Sequence, residues 1–252
     1  MEIAGCSAIV TGGASGMGAA TAKLLSQSGA NVALLDINLS AAQKMAAALG
    51  VLAIECDVTD EVSVNNALQL AAKKHGSARI CINCAGIVHS RRMVNQQGPM
   101  PLADFQRVLN INLVGTFNTM RLSAAQMIEL PLNGEERGII INTASIAAYE
   151  GQIGQTAYSA SKGAIVGLTL PAARELAQFG IRVMCIAPGL VDTPMFEKIS
   201  TEAKASLAAS VPFPKRLAQP EEFAQLALSI INNPMLNGSV IRLDGALRMQ
   251  PK

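Results

Sequence analysis

Short, continuous apolar runs alternate with longer Ala-rich or amphipathic stretches along the whole chain. The runs at residues 6–10, 31–35, 51–55, 79–83, 138–142, 181–186 and 239–243 have strand length and few polar side chains. A strand that is apolar on both sides must be covered on both faces, which predicts a parallel sheet between two helical layers. The stretches between them predict helices at residues 19–28, 40–49, from a cap at Thr59 or Asp60 to about 75, 156–179 and 220–231. Residues 102 to about 130 read as one long or broken helix. Gly29 and Gly180 stop two of these helices, and Pro171 lies inside one. Residues 87–101 form a loop that is long for such a connection, and 190–217 read as loop and short helix. With no repeat, linker or low-complexity segment, residues 1–252 are expected to form a single doubly wound α/β domain. The apolar runs are also too short for a membrane span.

Composition narrows this picture. Half of the 252 residues are hydrophobic, yet there are only 6 Phe, 2 Tyr and no Trp. The core is therefore expected from Ala, Ile, Leu, Val and Met. The 20 basic and 18 acidic residues give a net charge of +2, without the basic excess of a nucleic-acid footprint, so no nucleic-acid partner is expected. Cys6, Cys56, Cys81, Cys84 and Cys185 are odd in number and scattered, which reads as reduced thiols in a cytosol-like compartment. Cys81 and Cys84 form a Cys-x-x-Cys, but positions three apart on a strand face opposite sides. Zinc would also need a second ligand pair, so no metal is expected. Residues 1–5 lead straight into the first apolar run. The expectation is a cytoplasmic protein with neither a secretory signal nor a mitochondrial presequence.

Two stretches carry chemistry. Thr11-Gly12-x-x-x-Gly16-x-Gly18 follows a strand and opens a helix, the setting of a dinucleotide-binding loop. Its glycines allow close backbone approach to a diphosphate, and the helix N-terminus offers free N–H groups. Asp36 ends the second strand, where a carboxylate binds the adenosine ribose and repels a 2′-phosphate; Ser15 and Ile37 beside it are neutral. This pattern predicts NAD rather than NADP; the alternative is that Asp36 simply caps a turn. The second stretch runs from Ser145 to Lys162. Tyr158 and Lys162 are four positions apart, so a helix places them on one face. A nearby cation favours the phenolate and lowers a phenol's pKa. Ser145 supplies a hydroxyl that can hold a substrate oxygen beside the phenol, and the set suits proton transfer at an alcohol. A chance pair on a helix surface is the alternative.

The motif at Thr11–Gly18, Asn83-Cys-Ala-Gly86, Asn112, Ser145, Tyr158-x-x-x-Lys162 and Pro188-Gly189 stand in the order of the short-chain dehydrogenases/reductases, which the whole chain resembles. Cys84 departs from the usual Asn-Asn-Ala-Gly. The resemblance implies a seven-stranded parallel Rossmann sheet, order 3-2-1-4-5-6-7, with helices on both faces. It implies a cofactor site of Gly12, Ser15, Gly16, Met17, Gly18, Asp36, Asn83, Ala85, Gly86, Tyr158, Lys162, Pro188, Gly189 and Val191, with Asp57 and Val58 near the adenine and Thr193 on the carboxamide. It also implies that Lys162 lowers the Tyr158 pKa and holds the ribose, that Asn112 positions a proton-relaying water, and that Gln152 and Gln155 line the substrate pocket. A homotetramer is implied, with helices around 102–130 and 156–179 packing between subunits.

Longer strings, such as residues 140–148, 211–214 and 236–246, resemble the type II 3-hydroxyacyl-CoA dehydrogenases of that family. This implies NAD-dependent interconversion of 3-hydroxyacyl-CoA and 3-oxoacyl-CoA, in fatty acid metabolism. Arg91 and Arg92 in the long loop are candidates to attract the CoA phosphates, against the alternative of a solvated basic loop. A broader alcohol, hydroxysteroid or 3-oxoacyl reductase is the second reading. A NAD-binding scaffold or RNA-processing partner is the third, and the complete set of Asn112, Ser145, Tyr158 and Lys162 argues against it.

Overall fold

A computed structural model describes residues 1–194 and 200–251. In chain order the first half comprises β1 (Ser7–Thr11), α1 (Gly16–Gln27), β2 (Asn31–Asp36), α2 (Leu39–Leu49), β3 (Leu52–Glu55), α3 (Glu61–His75) and β4 (Ile80–Asn83). A small hairpin of β5 (Val94–Asn95) and β6 (Gly98–Pro99) precedes α4 (Leu102–Leu109), a π-helical turn (Asn110–Val114) and α5 (Gly115–Ile128). Then come β7 (Gly138–Thr143), a 3-10 turn (Ile146–Ala148), α6 (Thr156–Ala177), β8 (Ile181–Pro188), α7 (Thr201–Ser210), α8 (Pro220–Asn232) and β9 (Val240–Leu243).

Seven strands form one sheet in the order β3-β2-β1-β4-β7-β8-β9, every pairing parallel. With the hairpin set aside, this is the expected 3-2-1-4-5-6-7. The apolar runs explain the two layers. Along β1, Ala8 and Val10 face a cluster with Leu25 of α1 and Phe223, Ile230 and Ile231 of α8. Ile9 between them faces a second cluster with Leu68 of α3 and Met120 and Met127 of α5. The central strands repeat the pattern: Ile139 and Ile141 turn to the first side, Ile140 to the second. Burying each of the Val, Leu, Ile, Phe and Met side chains contributes about 1.5–3 kcal/mol, and the alternation works because both faces of the strand are apolar.

Three expectations change in detail, and the long or broken helix over residues 102 to about 130 proves to be broken. Helix α1 starts at Gly16, inside the glycine motif, so its unpaired first-turn N–H groups belong to that loop. Residues 102–128 form two helices joined by the π turn. The long loop contains the β5–β6 hairpin. Strand β8 continues to Pro188 because Ala187 and Pro188 still pair with β9. Within 190–217, Val191 bridges to Ala218 and α7 forms; residues 195–199 of that segment lie outside the described residues. Among the described residues no helix is long and apolar enough to cross a membrane.

Candidate active site

The carboxyl ends of β1, β4 and β7 are joined by side chains. Asn83 donates to the Asn142 side-chain oxygen at 2.9 Å and accepts from the Thr11 hydroxyl at 3.5 Å. Thr11 in turn accepts from the Ala85 N–H at 3.2 Å. Asn83 and Asn142 are fully buried, where unpaired amides would be costly. This ladder therefore sets how the following loops leave the sheet.

Above it, the glycine loop is pressed against its neighbours. A Cβ on Gly12 would stand 2.8 Å from the Ala85 nitrogen, and one on Gly18 would collide with the Gly12 carbonyl. These contacts leave a cavity of about 720 Å³ along the carboxyl edge of the sheet, within the range of cofactor sites. Gly12, Ser15, Gly16, Met17, Gly18, Asp36, Asp57, Val58, Ala85, Gly86 and Thr193 all line it. A cavity of this size bounded by a helix N-terminus fits a dinucleotide, whose diphosphate the free N–H groups of α1 would hold.

Asp36 caps a turn and still faces the cavity. Its carboxylate accepts from the Ala14 N–H at 3.1 Å and the Asn38 N–H at 2.9 Å. Asp57 is held by Thr59, through the N–H at 2.9 Å and the hydroxyl at 2.8 Å.

Six cofactor candidates do not line this cavity, Tyr158 and Lys162 of α6 among them. Asn83 is consumed by the ladder. Pro188 is buried at the end of β8, the Gly189 N–H donates to the Leu243 carbonyl at 2.9 Å, and Val191 is buried at the bridge to Ala218. Together they anchor the turn that carries Thr193. Sequence reasoning missed the opposite wall, made by Ala103, Gln106, Arg107, Asn110 and Ile111. Their spacing of three or four marks one face of α4 and the turn after it.

Tyr158 and Lys162 do share a face of α6, with the Lys162 Nζ 5.8 Å from the Tyr158 ring centroid. Lys162 is buried and donates to the Thr143 carbonyl at 2.7 Å. Burial pushes its ammonium down to about 8. The expected lowering of the Tyr158 phenol is not what the polypeptide produces. Burial pushes that phenol above its ordinary value, and the Ser145 hydroxyl beside it acts in the opposite direction. The lysine's ammonium is spent on a carbonyl rather than on the phenol oxygen, so desolvation prevails. Ser145 ends the loop after β7, and its Oγ also accepts from the Ala147 N–H at 3.1 Å.

Asn112 sits in the π turn, fully buried. Its side chain accepts from the Ile87 N–H at 2.8 Å and donates to the Ile87 carbonyl at 2.9 Å and to the Ser161 hydroxyl at 3.1 Å. A Cβ on Gly86 would be 3.2 Å from the Asn112 Oδ1 and 3.6 Å from the Lys162 Nζ, so these three residues converge behind the cavity. A π turn inside a helix is often found at functional positions.

The substrate candidates are less free than their sequence context implies. Gln155 accepts from the Gln152 N–H at 3.1 Å, and Gln152 donates to the Gln250 carbonyl at 3.0 Å. Arg91 is paired with Asp104 at 2.7 Å, with His89 3.5 Å from the same carboxylate. Arg92 is exposed and pairs with no carboxylate among the described residues. Cys81 and Cys84 pack on opposite sides of the sheet. Burial pushes their thiols to about 12 and about 11, which suits inert rather than redox-active sulfur.

A family model described as short chain dehydrogenase matches residues 7–204. The chain is 52% identical to the human 3-hydroxyacyl-CoA dehydrogenase type-2, covering 99% of this chain and 98% of that protein. The crystal structure of 3-hydroxyacyl-CoA dehydrogenase type-2 from Mycobacterium avium matches with a TM-score of 0.94 at 43% identity, over 98% of both chains. That of 3-ketoacyl-(acyl-carrier-protein) reductase from Brucella melitensis complexed with NADH matches with a TM-score of 0.89 at 29% identity, over 98% of this chain and 100% of that one.

Proposed function

This chain belongs to the short-chain dehydrogenase family, and we propose that it interconverts 3-hydroxyacyl-CoA and 3-oxoacyl-CoA with NAD, using Tyr158 as acid and base. It is a dehydrogenase acting on CH–OH donors with a nicotinamide cofactor. The observation that carries the reading is the meeting of Ser145, Tyr158 and Lys162 at the carboxyl edge of the sheet that bears the dinucleotide-sized cavity. The relatives named for 3-hydroxyacyl-CoA support the substrate class.

The bound nicotinamide supplies hydride transfer at the substrate carbon. Ser145 holds the substrate oxygen beside the phenol. Tyr158, kept neutral by burial, gives its proton to a carbonyl oxygen in reduction; in oxidation it must first ionise and then take the alcohol proton. Lys162 stabilises that ionised form by charge and holds the ribose. Asn112 connects Lys162 to solvent through a water on its remaining acceptor capacity. Asp36 selects NAD by repelling a 2′-phosphate.

Residues 1–252 work as one NAD-binding unit, and the assembly is a homotetramer in the cytoplasm. Val114 and Phe117 on the π turn and α5 and Leu170 on α6 are 45%, 50% and 44% exposed, the kind of apolar faces that subunit packing would cover. The deciding experiment incubates the purified protein with acetoacetyl-CoA and follows NADH, then NADPH, by absorbance. NADH consumption with acetoacetyl-CoA is expected. A protein that oxidises NADH with simple ketones or steroids but not with any 3-oxoacyl-CoA would overturn the substrate assignment.

A further inference from the structure

A dense group of charges outside the site joins the C-terminal segment to the connection between Ser145 and Tyr158. Arg242, in β9, makes a two-pronged bond to Glu150, at 2.8 and 2.9 Å. The same guanidinium donates to Asp244 at 2.6 Å and to the Leu247 carbonyl at 3.0 Å, and lies 5.1 Å from the Tyr149 ring centroid. Arg248 adds a bond to Asp244 at 3.3 Å. Four of the five guanidinium N–H groups of Arg242 thus donate to oxygen acceptors, the arrangement for which arginine rather than lysine is suited.

Two further contacts run along the same connection. The Ile153 N–H donates to the Pro251 carbonyl at 3.0 Å, and Gln152 donates to the Gln250 carbonyl. Ile146, next to Ser145, is buried with Leu247 and Val211. The turn that brings the C-terminal segment back is strained: Ala246 has φ of +66°, and Asp244 accepts from its N–H at 3.0 Å. Such a backbone conformation persists where surrounding contacts over-determine it.

We propose that Arg242 is a positioning residue for the Ser145–Tyr158 pair, acting by clamping Tyr149 and Glu150 to the C-terminal segment. Ser145 and Tyr158 come from different elements, and their spacing depends on the path of residues 146–155 between them. Arg242 fixes that path from one side, through side chains that do not line the dinucleotide-sized cavity. The inference rests on the proposed roles of Ser145 and Tyr158.

The test uses R242M, R242K, E150Q and a chain ending at Arg248, each first titrated with NADH by fluorescence. R242M is expected to bind NADH within about twofold of the unmodified protein, because the clamp does not line the cofactor cavity. Its kcat with acetoacetyl-CoA should fall about 10- to 100-fold, the scale of a small misplacement of reacting groups. The pH midpoint of the reverse, alcohol-oxidising reaction should move upward, since Ser145 no longer holds the phenol oxygen. R242K should recover part of both changes. A loss of folded protein alone would lower amplitude and leave the midpoint in place. If R242M does not fold, E150Q and the shortened chain carry the test, with the same upward movement expected. Unchanged midpoints and kcat per folded molecule in these variants would overturn the clamp. Turnover retained by Tyr158→Phe would instead overturn the proposed function, and the clamp's role with it.

Discussion

The Lys162 ammonium lies 5.8 Å from the Tyr158 ring centroid but gives its hydrogen bond to the Thr143 carbonyl. Lysine and tyrosine thus influence each other across a gap rather than through a shared proton. Burial lowers Lys162 to about 8 and raises Tyr158, so at neutral pH the lysine is charged and the phenol neutral. Alcohol oxidation needs the phenolate and should rise with pH. Lys162→Ala, which removes the cation, should move that rise to higher pH. Tyr158→Phe should keep NADH binding and lose at least about 10²-fold in turnover. Initial rates across a pH series check both, and a Tyr158→Phe variant of near-normal activity would show that another group carries the proton.

Cofactor choice should follow Asp36. NADH is expected to be used far better than NADPH, and Asp36→Ala should narrow the gap by removing the charge that repels a 2′-phosphate. The substitution also removes the acceptor of the Ala14 and Asn38 N–H groups. Some loss of NADH affinity should accompany it, through a loosened glycine loop. Equal kcat/KM with both cofactors in the unmodified protein would contradict the assignment.

The two arginines of the long loop should now behave differently. Arg91 is tied to Asp104, so Arg91→Ala should raise KM alike for acetoacetyl-CoA and for a thioester truncated before the phosphates. Arg92 is exposed and unpaired among the described residues. Arg92→Ala should raise KM only for the full CoA ester, by no more than about fivefold, the worth of an exposed ion pair. The difference should shrink with added salt. Equal effects of Arg92→Ala on both substrates would remove the phosphate role.

Alkaline stability should be governed by thiols. Burial raises Cys56, Cys84 and Cys185 to about 11 and Cys81 to about 12, from an ordinary 9.0. In the unfolded chain these thiols ionise near 9.0, while in the fold they remain protonated. Stability is therefore untouched by them below that pH and falls as pH rises from 9.0 towards 11, by about 1.4 kcal/mol per thiol per pH unit. Lys162, lowered by folding, works in the opposite sense between about 8 and 10.5, but four thiols outweigh one lysine above 9.0. Urea midpoints at stepped pH should show the decline, and Cys81→Ala should flatten it.

The two helical layers were legible because each strand is apolar throughout, which a doubly covered parallel sheet accommodates; the strand order came from the resemblance to the short-chain dehydrogenases/reductases, not from the pattern. The glycine loop, Asp36 and the Tyr158–Lys162 pair were legible because their chemistry depends on local spacing. What escaped depends on contacts between distant residues. Spacing places Tyr158 and Lys162 on one face of a helix but says nothing of how deeply that face is buried, and depth decides the direction of the phenol's shift. Asn83 resembles a cofactor residue until Asn142 is seen beside it across the sheet. Arg91 reads as free until the hairpin loop folds it onto Asp104. Arg242 and Glu150 stand 92 positions apart, and no local pattern connects them.

The π turn at Asn110–Val114 acts as a phase shifter. Each residue advances a helix by about 100°, so one residue more or fewer in this turn rotates all of α5 relative to α4. As built, α4 shows Gln106 and Arg107 to the cavity, while Asn118, Thr119, Met120 and Ser123 are buried on α5 and Phe117 and Arg121 are not. Removing one residue between 110 and 114 would bring Phe117 and Arg121 toward the sheet and turn part of that buried set outward. Substituting Asn112 alters the site and leaves the phase alone; deleting it alters the core as well. In this segment the number of residues is thus constrained separately from their identity, and a homologue that changes its length there must rebuild the layer beneath.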